Sequence, residues 1–133
     1  PQSEAAFEYV LKEISDPSMT LLHVINPVGS YGIADDEFVD IEVYQADLER
    51  RREDAEKMLD EYRGWASDCH VDAAAVVAQG KPSREILRAI DEYDVDHIVI
   101  GSHGRSGVGR VIFGSVAEAV TRRSPVPVTI VRL

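Results

Sequence analysis

Apolar positions along the chain switch repeatedly between helical and strand-like spacing, and each switch marks an element. In EAAFEYVLKEI, residues 4–14, Phe7, Val10, Leu11 and Ile14 recur at helical spacing behind Ser3, a candidate N-cap, so the pattern predicts a helix. After the breaker Asp16-Pro17, MTLLHVI (19–25) is a nearly continuous apolar run, as expected of a strand buried on both faces of a parallel sheet. NPVGSYGIADDEFVD (26–40) carries Pro27, Gly29 and Gly32 and is longer than most connections, which marks a functional flap or a partly disordered segment. A long helix is predicted over 41–66, with Leu48, Ala55, Leu59 and Tyr62 on one face and the charged run ERRREDAEK on the solvated side.

The second half repeats the alternation. VDAAAVVA (71–78) reads as another buried strand; Gly80 then turns the chain, and Pro82 or Ser83 opens a helix packed through Ile86, Leu87 and Ile90. VDHIVIG (95–101) is a third strand, residues 115–122 form a fourth helix, and PVPVTIVRL (125–133) is a last strand. An αβαβαβαβ order specifies one domain over residues 1–133, an open parallel α/β sheet with right-handed crossovers and helices on both faces. Such sheets usually begin with a strand, whereas this chain opens on Pro1 and a helix; a first strand is therefore absent from the sequence as given, and about ten further residues are expected upstream.

Composition narrows the function. A chain of 133 residues can bury one core without disulfides or metal staples. No apolar run approaches the roughly 18 residues of a membrane span, so no membrane role is indicated. Cys69 is the single cysteine, which rules out an intrachain disulfide and points to a reducing cytoplasm; the residue itself reads as a small buried hydrophobe. A net charge of -10 repels phosphate backbones and argues against nucleic acid as a partner. Arginine greatly outnumbers the lysines Lys12, Lys57 and Lys81, and an acidic, lysine-poor surface hints at a salt-loving source.

The distribution of charge is more telling than its total. From His97 onward the only acidic residue is Glu118, against Arg105, Arg110, Arg122, Arg123 and Arg132. Arg122 and Arg123 suit a helix C-terminus. The same basic end contains GSHGRSGVGRVIFGS, with five glycines (Gly101, Gly104, Gly107, Gly109 and Gly114) in fourteen positions. Bare backbone lets N–H groups approach phosphate oxygens, Gly114-Ser115 adds the free donors of a helix N-terminus and a hydroxyl, and a loop leaving a strand end is where ligands bind in open α/β sheets. The stretch suits a triphosphate. It is not a P-loop, because Arg110 and Val111 stand where Lys and Ser/Thr are needed, nor a dinucleotide fingerprint, because Ile112 stands where Gly or Ala is required.

What holds is the spacing Gly101-x2-Gly104-x9-Gly114-Ser115 after a strand, together with LLHVINP, GKPSREIL, DHIVIGSHGRSG and SPVPVTIVR. These segments resemble the ATP-binding subgroup of the universal stress protein family over essentially the whole chain. The resemblance implies an adenine-nucleotide alpha hydrolase-like sheet of five parallel strands in the order 3-2-1-4-5, with ATP, with or without Mg2+, on the glycine loop. By position, Gly101 and Gly104 would border ribose and phosphates, Gly114 and Ser115 would meet the phosphate tail, and Val24 would contact adenine through its backbone. Ser102, His103 and Val116 complete the expected site, and Arg105 and Arg110 are added on charge alone. Family members carry a first strand ending in an Asp-Gly-Ser-like turn, and this sequence starts just after that point.

Catalysis has little support. His23, His70, His97 and His103 have no metal-ligand spacing with one another or with Cys69, no Ser-His-Asp set can be assembled, and His103 reads as a loop residue that hydrogen-bonds ligand; no catalytic residue and no metal site are assigned. The last strand would lie at the sheet edge, with Pro125 and Pro127 limiting pairing at its start. The resemblance implies a homodimer paired through residues 126–132, from Val126 to Arg132, with further protein partners unidentified. Two readings stand: an ATP-binding stress regulator acting as a dimer, and a dimeric interaction module of the same fold that binds no nucleotide. Slow ATP hydrolysis is a third, weaker alternative.

Overall fold

A computed structural model of the chain describes residues 2–27, 41–102 and 114–132. The order is α1 (Gln2–Glu13), β1 (Ser18–Ile25), α2 (Ile41–Asp68), β2 (Asp72–Gln79), α3 (Pro82–Glu92), β3 (Ile98–Gly101), α4 (Ser115–Arg123) and β4 (Val128–Val131). The sequence therefore predicts the type and order of every described element. Boundaries differ for local reasons. Helix α1 already includes Ser3, so that residue is not its cap. Strand β3 starts three residues later than the apolar run, because Tyr93 and Val95 donate back to Ala89 and Ile90 and Asp94 adopts φ 56°, which closes α3. Strand β4 starts at Val128 because Pro125 and Pro127 have no N–H to offer and the Ser124 hydroxyl bonds the backbone of Val126.

The strands form two parallel pairs, β1 with β2 and β3 with β4. In the expected order 3-2-1-4-5 a first strand would separate these pairs; the pairs themselves are what the structure shows. Helix α2 packs on β1 and β2, and α1 lies against β3 and β4. The two helices are clasped by an aromatic trio: Phe7 meets Tyr62 at 4.9 Å between centroids, and Tyr62 meets Trp65 edge-on at 5.2 Å. Helix α3 packs on β1 and β2 and touches α4. Helices thus cover the sheet plane from both sides.

Burial follows this layering. The amphipathic stripe of α2 sinks Ala55, Leu59 and Ala66, while that of α3 sinks Ala89 and Ile90 behind Pro82 at its first turn. Among the described residues, Ile25 and Val120 are the largest side chains fully removed from solvent. Two sequence expectations need correction. Leu21 and Leu22 of β1 are only half-buried, because among the described residues one edge of that strand has no neighbour. Ala74 and Ala75 of β2 are exposed, because β2 is an outer strand. Cys69 is exposed as well, in the turn that ends α2, where Val71 donates to Ala66 and His70 takes φ 60°. Gly80 does turn the chain: at φ 148° it donates to the Ile25 carbonyl, and a Cβ there would meet Oε2 of Glu85 at 3.2 Å.

Candidate functional site

Backbone direction decides what the strand ends can offer. Along a strand, the N–H and C=O of one residue point to one side and those of the next residue to the other. Ile25 accepts from Gly80, so its groups face β2 and those of Val24 face away from β2. Ile98 donates to the Pro127 carbonyl and Ser102 to the Val131 carbonyl, so even-numbered residues of β3 face β4. Val99 and Gly101 therefore face away from β4. The backbones of Val24 and Gly101, two residues singled out in the sequence, are both turned to the inner edges of their strands, which no other strand pairs among the described residues.

The other expected residues divide. Ser102 is 2% exposed, and its N–H is committed to Val131, leaving its hydroxyl as the group it can offer a ligand. Gly114 caps α4 at φ 83° and ψ 152°, a backbone conformation that disfavours any side chain, and its carbonyl accepts from Glu118 at 3.0 Å. Ser115 is exposed at the first position of α4, and Val116 is half-buried behind it. The N–H groups of this first turn lack intrahelical partners and carry the positive end of the helix dipole. The acidic residue of that turn, Glu118, pairs with Arg122 at 2.7 Å, so its charge is partly offset. Gly104, His103, Arg105 and Arg110 lie outside the described residues, as do Gly107 and Gly109.

Arg122 and Arg123 sit in the last turn of α4, as a helix C-terminus favours. His97 is engaged structurally, its Nε2 lying 2.8 Å from the Thr129 hydroxyl across the β3–β4 pair. His23 lines the space beside β1; burial, and then the Arg51 guanidinium, hold its pKa below the usual histidine value. Nη1 of Arg51 is buried with no hydrogen-bond partner. The neutral His23 of the folded state must lose that preference on unfolding. Its contribution to stability is therefore complete above about pH 6.5, the unfolded value, and is lost as pH falls through the lower folded value. His23→Gln is expected to shrink the fall in urea midpoint between pH 7.5 and pH 5; an unchanged fall would remove His23 from the acid response.

Among the described residues no group of three His, Cys, Asp or Glu is placed to hold a metal ion, and no helix is long and apolar enough to cross a membrane. The sequence did not reveal that the Ser102 N–H is consumed by the sheet or which way Val24 and Gly101 turn, since both follow from strand register.

Comparison with known proteins gives the family. The Universal stress protein family profile matches residues 1–132. Universal stress protein YxiE of Bacillus subtilis is 40% identical over 76 residues, 57% of this chain and 51% of that protein. Universal stress protein MJ0577 of Methanocaldococcus jannaschii is 27% identical over 93 residues, 69% of this chain and 57% of its own length. The matched part thus spans little more than half of these relatives. Against the solved MJ0577 structure the TM-score is 0.75 at 26% identity, covering 99% of this chain and 88% of that one. An Arabidopsis thaliana family protein solved with AMP bound gives 0.66 at 22% identity over 97% of this chain and 76% of its own. A universal stress protein solved in complex with cAMP gives 0.65 at 20% identity, covering 99% and 89%. The last two likenesses establish the fold alone. An α/β sheet edge of this construction, with a profile match from one end of the chain to the other, places the chain in the universal stress protein family.

Proposed function

We propose that this chain is an ATP-binding regulator of a stress response that acts in the cytoplasm as a homodimer. The observation that carries the nucleotide reading is the shared direction of the Val24 and Gly101 backbones. Val24 would present its N–H and C=O to the adenine edge. Gly101, with no side chain, would let the ribose and phosphates close on β3, while the α4 first turn and the Ser115 hydroxyl would receive the phosphate tail. Gly104, Arg105, Arg110 and His103 would complete the cradle, Ser102 would contribute its hydroxyl and Val116 a wall. Mg2+ would accompany ATP as its counter-ion. That proteins of the same family have been solved with AMP and with cAMP bound supports a nucleotide reading. Nucleotide content settles the matter. Intact protein, purified without added nucleotide and then denatured, is expected to release ATP in mass spectrometry; protein that carries none and binds none at cellular salt would leave the nucleotide-independent interaction module as the better reading.

The dimer rests on β4. Because Ile98 donates to Pro127 and Ser102 to Val131, the N–H groups of Thr129 and Val131 face β3, and those of Val128 and Ile130 face outward. Among the described residues no strand pairs with those outward groups, and they would form an edge open to a second copy. Ile130→Pro removes an outward donor and spares the β3 ladder, so scattering mass is expected to fall from dimer to monomer, with Ile130→Ala remaining dimeric. An unchanged mass for Ile130→Pro would eliminate pairing through this strand.

A further inference from the structure

Trp65, the single tryptophan of the chain, stands 45% exposed in the last turn of α2. Two other rings hold it in place: Tyr62 meets it edge-on, and Phe7, itself buried, lies 6.3 Å away in a tilted contact. Beside it is Gly64, and a Cβ there would meet nothing within 4 Å, so packing does not require a glycine at that position. Glycine inside a helix weakens it. What it provides here is bare backbone next to the indole. A large aromatic ring fixed by its neighbours and left open to solvent has the make-up of a recognition surface on the outer side of the α1–α2 pair.

Charge decides what that surface can take. Glu61 and Asp68 stand four residues before and three residues after Trp65, hence on the same side of α2, and both are exposed. Glu4 and Glu8 are exposed on the neighbouring helix α1, one turn apart. Burial first, and then the carboxylates of Glu4, Glu61 and Glu8, raise the pKa of the Tyr62 hydroxyl, so the potential at the rings is negative. Among the described residues, Glu8, Glu61 and Asp68 form no salt bridge. Arg63, the only basic residue from Met58 to Asp68, is spent elsewhere: its Nε donates to the Ala73 carbonyl at 3.2 Å and its Nη1 pairs with Asp60 at 3.5 Å. The last turn of α2 contains no basic residue, so the negative end of the helix dipole adds to the same field.

We propose that this face binds an arginine presented by a protein partner, with its guanidinium stacked on the Trp65 indole and its N–H groups turned to Glu61 and Asp68. Arginine fits better than lysine, because its planar and weakly hydrated cation both stacks on an aromatic face and pairs side-on with carboxylates. An open surface also suits a side chain carried on a peptide more than a small free cation, which needs enclosing walls. The net charge of -10 that repels phosphate backbones draws a basic segment in. The site lies on helices remote in sequence from the glycine loop, so it stands whether or not nucleotide binds.

The test titrates intact protein with the peptide Gly-Ser-Arg-Gly-Arg-Ser-Gly and with the same peptide carrying citrulline, an uncharged match in shape, for both arginines. The arginine peptide is expected to change Trp65 fluorescence saturably and to bind at least about fivefold more tightly than the citrulline peptide. By anisotropy of a labelled arginine peptide, Trp65→Leu and the pair Glu61→Gln, Asp68→Asn are each expected to weaken binding at least about threefold. The pair Glu53→Gln, Glu56→Gln removes the same charge from exposed positions higher on α2 and is expected to change it less than about twofold. All these positions are exposed, and unchanged urea midpoints will show that the variants keep the fold. Equal binding of the two peptides, a fluorescence that does not respond, or equal weakening by the two double variants would overturn the proposal. A scattering mass that falls when peptide is added would assign the face to a second copy of the chain and would equally overturn it.

Discussion

Ile25→Ala is expected to lower the unfolding free energy by about 3 kcal/mol, within the range seen when a buried isoleucine is cut to alanine. The side chain is 1% exposed, whereas the rest of β1 is half-buried or more open, so the packing of that strand is concentrated at this residue. Its carbonyl also holds Gly80, the turn between β2 and α3. Alanine keeps that bond but leaves a cavity next to Val24. Urea unfolding should show a lower midpoint at an unchanged slope. A loss below about 1 kcal/mol would mean that the strand end collapses around the smaller side chain.

The second large effect concerns ligand. Gly101→Val combined with Gly104→Val is expected to weaken ATP binding by at least about a hundredfold, equivalent to losing two hydrogen bonds to charged phosphate at about 1.5 kcal/mol or more each. Valine is a favourable strand residue, so the β3–β4 pair should persist at Gly101. What changes is access: a branched side chain stands where the ligand would approach a bare backbone. The variant should therefore keep the unfolding midpoint of the parent and lose the nucleotide. Retained affinity with a retained fold would show that the glycines serve only to let the loop bend.

Much of this fold is legible in the sequence because periodicity reports burial. Phe7 and Val10 announce α1, Ile86 and Ile90 announce α3, and the Gly80-Lys81-Pro82 turn is visible as a breaker followed by a residue suited to the first helical turn. The limits of β3 and β4 are not legible, since they depend on the turn that closes α3 through Asp94 and on prolines that lack donors. Cys69 shows another limit: composition suggests burial, yet the residue falls in a turn at the surface.

The candidate site is half legible. Glycine spacing picks out Gly101 and Gly114, and their positions at a strand end and a helix start follow. Register cannot be read from spacing, although it turns Val24 and Gly101 to the open edge and commits the Ser102 N–H to Val131. It also identifies Ile130 rather than Thr129 as the outward donor of β4. These are facts of pairing, and a single chain of letters does not carry them.

Equilibrium dialysis of intact protein against labelled ATP, at an ionic strength near 0.15 M where exposed charges beyond about 8 Å are screened, tests the central claim most directly. One ATP retained per chain, and none by the Gly101→Val, Gly104→Val variant, is the result predicted. Intact, folded protein that retains no ATP, or a double variant that retains as much as the parent, would contradict it.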